Sequence, residues 1–464
     1  MDLDFNLSEL EDTIFRAVSE IARNITRMYL EAIDEMLMKE RDKIRYEVIR
    51  KVQTTLKMKY GVVEYERRYY FDHINKMNVF LLDKLTEGGR LGLYSVGAID
   101  MILKACAEMS YAKAAEQITN NTALTISKTE CWNIVQEFNE VIENYLKDLN
   151  LDSDKKTIDT LYVEADGVWL YQQMKNHKKG KSMEVKLVTF YEGWTSNNRL
   201  RNRTLIGGNC TANEINMKTQ TVMDSLYDID KIEQIILNGD GASWIDNMAD
   251  GKTIYQLDRF HVMKYIVRAI KNKNVKEQIV SALSVNDIDR LLELIMIYKD
   301  SIDDGSDKKQ IKLIEETYRY LYNHKDSIIY YYERPEFIRL SEEEIYRNMG
   351  VQENQNCSVI TMRMKHRRMR WCYSGADSMV KLRCVIQNGW LEQIIRSIDG
   401  RYARKKTLID TEDIIDKTLE SAAPHLKAIG TGSRYFEQMN KDLPILDTAR
   451  SPLVKALRGL SGLA

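Results

Sequence analysis

At Ile158 the spacing of apolar residues changes from the three-and-four rhythm of helices to the short blocks and alternations of strands. Ile158–Ala165 runs up to Asp166-Gly167 and resumes as Val168-Trp169-Leu170-Tyr171, and Met183–Tyr191 is a further strand. These read as a three-strand antiparallel meander with its first break at Asp166-Gly167. Gln234–Asn238 then closes on Gly239-Asp240-Gly241, and Thr253–Leu257 closes on Asp258-Arg259-Phe260-His261. Strands separated by helical segments require a mixed sheet with helices on its faces, an α/β architecture.

Helical pattern flanks this region. Residues 7–58 read as long helix, opened by Ser8 and Glu11 at capping-box spacing. Ile14, Val18, Ile21, Ile25, Met28, Ala32 and Met36 follow at steps of four and three. A coiled coil, and hence self-association, gives this pattern, as does a helix packed on its own domain. Residues 60–72 are rich in Val and Tyr and partly alternate, which suggests a short hairpin. Helix returns from Ser95 to Leu149. Within it, Ser110–Glu116 and a helix capped by Ser127 and Glu130 form a pair of the helix-turn-helix kind. Lys128, Thr129 and Asn133 would face DNA, and Cys131, Ile134, Val135 and Phe138 would hold the fold. Plain packing of two helices explains the same residues. Residues 264–348 read as helix, and the last 60 or so as a helical tail without motif.

Composition narrows the function classes. The chain has 464 residues, enough for two or three domains at roughly 100–200 residues each. With 68 Lys+Arg against 69 Asp+Glu the formal charge is −1, which excludes a histone-like cation but not a binder whose cations share one face. Six cysteines without a CxxC pair make a zinc ribbon or a disulfide framework unexpected. No run suits a signal peptide or a membrane span, so a soluble cytoplasmic protein is expected.

Three acids carry the expected chemistry. Asp166 and Asp240 each precede glycine at the end of an apolar strand, which aims the carboxylate and leaves room beside it. Asp-Gly is also a common turn dipeptide. Glu353 shares a helical stripe with Cys357, Ile360 and Met364, and a lone acid on an apolar stripe needs a partner such as a metal ion. Three such oxygens suit two Mg²⁺ ions about 3.5–4 Å apart, working on a phosphodiester by in-line displacement. Arg363, Arg367 and Arg370 form a basic stripe near Glu353 that suits DNA phosphates, or simply a solvated face.

Taken together and in order, several strings resemble one family. They are Val163-Glu164-Ala165-Asp166-Gly167, Leu237 to Ile245 with Asn238-Gly239-Asp240-Gly241, and Leu257-Asp258-Arg259-Phe260-His261. Further along come Gly350-Val351-Gln352-Glu353, Arg363-Met364-Lys365-His366-Arg367, Trp371, Gly375-Ala376 and Lys381-Leu382-Arg383. They look like the ISLre2-type insertion-sequence transposases, also called UPF0236, relatives of the Mutator-like group. Ala107–Glu116 is similar to that family's helix-turn-helix region, and the resemblance covers roughly residues 60–400.

The resemblance implies an RNase H-like core with a mixed five-stranded sheet and a DDE triad of Asp166, Asp240 and Glu353. Two Mg²⁺ ions, or Mn²⁺ in their place, would be its cofactor. Asp258 and His261 would be accessory to the scissile phosphate or the triad. The implied domains are an N-terminal helix (1–59), a hairpin and DNA-binding region (60–150), a core in two parts (155–263 and 349–400) around a helical insertion (264–348), and a tail (401–464). The partners would be double-stranded DNA, as terminal inverted repeats and as target, and further copies of the chain, without any membrane. Lys178, Lys179 and Lys181, with the three arginines, would track the backbone of the DNA. A nuclease or resolvase of the same fold, or an inactive DNA-binding remnant, are the alternatives, since fold does not fix the chemistry.

Overall fold

A computed structural model describes residues 7–86, 90–149, 155–173, 181–249, 251–302, 308–339 and 345–398. The expected tail and the cations Lys178 and Lys179 lie outside the described residues, as does the side chain of Arg367. The chain divides into two compact units.

The first unit takes the described residues up to 98, with 118–125. It holds α1 (Leu7–Glu40), β1 (Tyr46–Met58), β2 (Gly61–Asp72), β3 (Met77–Val79), α2 (Leu81–Thr86), β4 (Arg90–Leu91) and β5 (Tyr94–Ser95). The helix expected to run to residue 58 therefore stops at Glu40. Residues 46–58 pair with 61–72 as a long antiparallel hairpin, from Tyr46 opposite Asp72 to Met58 opposite Gly61. Much of β1 is exposed, so no alternation betrays it; its β-branched residues Val48, Ile49, Val52, Thr54 and Thr55 were the available signal. The boundary expected near residue 59 falls inside this hairpin. Gly61 turns it with φ +109°, and a Cβ there would meet Arg23 and the carbonyl of Ala123.

Ser8 lies within the first turn of α1 and not before it. Leu30 and Ile33 of this helix share one core with Val63, Tyr65 and Leu82, and Ser19 is buried nearer its start. Ile14, Val18 and Ile21 of the expected seam are exposed.

The second unit takes 99–117 and 126–397. α3 (Val96–Glu108) and α4 (Tyr111–Asn121) precede α5 (Lys128–Asp148). Ser127 caps α5 as expected: its hydroxyl accepts from Glu130 N, and Glu130 returns a carboxylate to Ser127 N at 3.0 Å. Cys131, Ile134, Val135 and Phe138 are buried, and Lys128, Thr129 and Asn133 are exposed, as a helix with one packed face requires. Glu143 of the same helix pairs with Lys218 and Lys381, which ties α5 to the rest of this unit.

The main sheet contains β6 (Thr160–Gln172), β7 (Ser182–Tyr191), β8 (Thr204–Gly208), β9 (Gln234–Gly239) and β10 (Thr253–Leu257) in the order β10-β9-β6-β7-β8, with β11 (Arg370–Trp371) pairing β6 off this path. β6, β7 and β8 are the antiparallel meander, while β9 runs parallel to β6 and β10 parallel to β9. The meander thus differs from expectation: residues 160–172 are one unbroken strand, and the third strand is 204–208. Asp166-Gly167 makes no turn. Gly167 is instead a close approach, since a Cβ there would run into the Glu184 side chain of β7.

Between β8 and β10 come α6 (Ala212–Leu226) and α7 (Ser243–Asp246). After β10, α8 (Arg259–Ala269), α9 (Lys273–Ser284), α10 (Ile288–Asp300), α11 (Lys308–Asn323) and α12 (Lys325–Ile328) pack around their own core, which includes Ile266, Leu291, Ile295, Ile314 and Leu321. α13 (Gln352–Gln355) continues without a break as a π-helical stretch, Asn356–Lys365, before α14 (Tyr373–Gln387) and α15 (Leu391–Ile398).

Candidate metal centre

The registers of three parallel strands line up two rows of polar residues. Glu164 of β6 lies opposite Asn238 of β9, and Asn238 lies opposite Gln256 of β10. All three are buried. Two residues further on, where the same faces recur, stand Asp166, Asp240 and Asp258. Asp166 is inside β6, Asp240 follows the last residue of β9, and Asp258 follows β10 and caps α8 by accepting from Phe260 N at 3.0 Å. The first turn of α8 then brings His261 back beside them.

Ligand atoms of Asp166, Asp240 and His261 all lie within 4.8 Å of one another. Asp258 Oδ2 is 3.0 Å from His261 Nδ1, which fixes the ring and leaves Nε2 as its free nitrogen. Asp240 is held by its own loop: Oδ1 accepts from Ala242 N at 3.0 Å, and its carbonyl accepts from Tyr320 Oη at 2.8 Å. Gly241 next to it has φ +84°, and a Cβ there would press on His324, so a side chain at this position is excluded twice.

Burial raises the pKa of Asp166 to about 6, with the nearby Asp240 adding to it and His261 and two hydrogen bonds opposing. For His261, burial works against the charged ring. The bond to Asp258 and the charges of Asp166, Asp258 and Asp240 outweigh it, so its pKa lies above the usual value. Two half-buried carboxylates and an imidazole facing one point are a donor set that a divalent cation fits. The nitrogen donor makes Mn²⁺ at least as suitable as Mg²⁺.

The third expected acid is placed differently. Among the described residues Glu353 is not in this cluster, and it is exposed, as is Cys357. The buried stripe of its helix is Gln352, Gln355, Asn356, Val359, Ile360, Arg363 and Met364. Spacing alone could not distinguish two stripes one residue apart. The helix side chain that touches the centre is Asn356, whose Nδ2 donates to Asp166 Oδ2 at 2.6 Å. Its orientation is set by a chain of bonds: Gln352 Nε2 donates to Asn356 Oδ1 at 3.2 Å and to the Leu187 carbonyl at 2.9 Å, while Thr189 donates to Gln352 Oε1 at 2.7 Å.

Glu164 anchors the start of that helix. Fully buried, it accepts from Gly350 N, Val351 N and Gln352 N at 3.0–3.3 Å, from Tyr191 Oη at 2.8 Å and from Asn238 Nδ2 at 3.1 Å. Sequence reading passed over both Glu164 and Asn356. An acid two residues before Asp166 in an otherwise apolar strand was the signal for the first. Asn356, four residues after Gln352, has no comparable mark.

The expected DNA-contacting cations separate. Arg363 is buried, donates Nε to the Cys106 carbonyl at 2.9 Å and lies over the rings of Tyr111 and Trp371, so it is structural and does not face phosphate. Arg370 and Lys181 are exposed. Lys128, Thr129 and Asn133 stand on the open side of α5.

The fold and this cluster define a mixed α/β protein with a candidate divalent-cation centre. Among the described residues no helix is long and apolar enough to cross a membrane. The chain belongs to UPF0236, described as an uncharacterised protein family, which it matches over residues 1–399. One relative, from Caldanaerobacter subterraneus subsp. tengcongensis, is 25% identical over 98% of this chain and 92% of its own length, and its name joins eleven loci of that organism. A UPF0236 protein in the vanSb 3′ region of Streptococcus gallolyticus is 25% identical over 84% of this chain and 85% of its own. Among solved structures, the Drosophila P element transposase strand transfer complex covers 76% of this chain and 90% of that one at 9% identity and a TM-score of 0.24, too slight a likeness to carry weight.

Proposed function

We propose that this chain is an insertion-sequence transposase that cuts and joins DNA strands at a divalent-metal centre. The observation that carries the reading is the convergence of Asp166, Asp240 and His261 within 4.8 Å at adjoining strands. The sheet order supports it: an antiparallel meander followed by two strands parallel to its first is the plan of an RNase H-like core. A relative whose name joins eleven loci of one genome fits a gene carried by a self-copying element.

In this reading Asp166 and Asp240 supply the anionic ligands and His261 a neutral one, with Asp258 orienting the ring and Asn356 orienting Asp166. Glu353, one turn before Asn356 on the same helix, is the carboxylate that a second ion would recruit. When bound, the Mg²⁺ or Mn²⁺ pair supplies Lewis acidity for attack by water or a 3′-hydroxyl at phosphorus. The protein's part is to hold the phosphodiester in line: Arg370 and Lys181 neutralise phosphates, and Lys128, Thr129 and Asn133 face the base edges of the terminal repeats. The work would take place on double-stranded DNA in the bacterial cytoplasm, by an assembly of several copies.

The deciding experiment supplies the purified protein with the DNA flanking its own reading frame and Mn²⁺, and looks for strand nicks and for joining of a 3′-OH end to target. Nicking without joining would reassign it as a nuclease or resolvase. A remnant that binds DNA without cutting it is the second reading, and Asn356 favours it, because a neutral amide and not an acid reaches Asp166 from the helix. That protein would gain no stability from divalent ions.

A further inference from the structure

We propose that the exposed face of α8 carries one DNA strand away from the metal centre, with Phe260 against a base and Lys264 and Arg268 on phosphates. This rests on the transposase reading and adds to it a strand path that none of the expected DNA-contacting residues supplies.

Phe260, Lys264 and Arg268 recur every four residues along α8, and all three side chains are exposed. Phe260 is 49% exposed, a large apolar surface to leave in water, and its ring stands edge-on to His261 with centroids 5.4 Å apart. The backbone beneath it is fixed by the Asp258 cap. An open aromatic face thus lies immediately beside a metal ligand, where a base next to the scissile phosphate would be.

Along the helix beyond its Asp258 cap the charge has one sign. From Arg259 to Lys276 the sequence holds six cations and no carboxylate. Arg259 is used internally, donating to the carbonyls of Leu283 and Ile328. Lys264 and Arg268 have no ion pair among the described residues; past the helix end Lys271 is exposed, and Lys273, also exposed, pairs with Glu277 at 3.8 Å. The neighbouring helices behave otherwise: Arg290 pairs with Glu293 at 2.6 Å and Lys299 with Glu315 at 2.8 Å. A solvated helix face normally mixes signs in that way; this one does not. From Lys264 to Arg268 the helix advances about 6 Å at helical rise, close to two steps of about 3.4 Å along one strand.

The test uses a short duplex of arbitrary sequence with a single-stranded extension carrying 2-aminopurine, in EDTA so that the metal centre plays no part. For the double variant Lys264→Gln with Arg268→Gln, the slope of log affinity against log salt should fall by about 1.5 to 2. The Mn²⁺-induced rise in Tm, measured separately, should stay as in the wild type. Phe260→Ala should lose roughly 5- to 100-fold in affinity for the extension together with the quenching of 2-aminopurine, and Phe260→Trp should keep both. A double variant with the slope and affinity of the wild type overturns the path, as does a wild type without salt-dependent affinity for this DNA. Failure of the metal centre would show differently, as Asp166→Asn or Asp240→Asn still cutting DNA while the salt slopes hold.

Discussion

Asn356 donates to Asp166 across 2.6 Å, from a helix to the middle of a strand 190 residues earlier in the chain. This bond, with the one from Gly167 N to Oδ1 at 2.7 Å, orients the carboxylate. It also places a neutral group where a third acid would complete a set of carboxylates.

Asn356→Asp should therefore act in opposite directions with and without metal. Without divalent ions a further carboxylate against Asp166 and Asp240 lowers Tm through like-charge repulsion. With Mn²⁺ the added ligand enlarges the metal-induced rise. Thermal melts of both proteins with EDTA and with Mn²⁺ measure it, and a variant with an unchanged metal response would place Asn356 outside the centre.

Asp258→Asn should keep the cap of α8, since an amide oxygen still accepts from Phe260 N, yet lose the charge that orients His261. Removal of a carboxylate behind a ligating histidine typically costs 10–100-fold in metal affinity. Calorimetric titration with Mn²⁺ should show a loss of that order, with the helical circular dichroism unchanged.

The raised pKa of Asp166 gives a pH dependence of definite sign. The folded protein holds this proton up to about pH 6, whereas the unfolded chain releases it near the usual aspartate value. The contribution to stability is present at low pH and is lost as pH rises through 6, by at most about 3 kcal/mol. Denaturation from pH 4 to 8 in EDTA should show this decline, Asp166→Asn should remove it, and Mn²⁺ should reverse it above pH 6 by taking the proton's place.

Glu164→Ala should destabilise the second unit by at least about 3 kcal/mol, because the amides of Gly350, Val351 and Gln352 and the side chains of Tyr191 and Asn238 lose their shared acceptor in a dry site. Urea denaturation checks it. A cost below 1 kcal/mol would mean that water replaces the carboxylate.

Much of this was written in local sequence. Strand periodicity located β6, β7, β9 and β10, and the Ser127 and Glu130 cap located the start of α5, because both signals span a few neighbouring residues. Asp166 and Asp240 stood out as acids before glycine in strand-forming sequence, and the resemblance added Asp258 and His261 as candidates; the structure brings Asp166, Asp240 and His261 together. β1 was missed because an exposed strand shows no alternation, and the break at Asp166-Gly167 was misplaced because a dipeptide that suits a turn also suits a crowded cross-strand neighbour.

The sequence by itself determined which residues could form strands, that Asp240 and Asp258 follow two of them, and that positive and negative charges nearly cancel. Only the tertiary structure decided who meets whom. Register across three parallel strands puts the three aspartates in one row, and a rotation of one residue about a helix axis turns Asn356 toward Asp166 and leaves Glu353 in water. Such choices depend on contacts between segments far apart in the chain, and no local pattern encodes the angle at which two such segments pack.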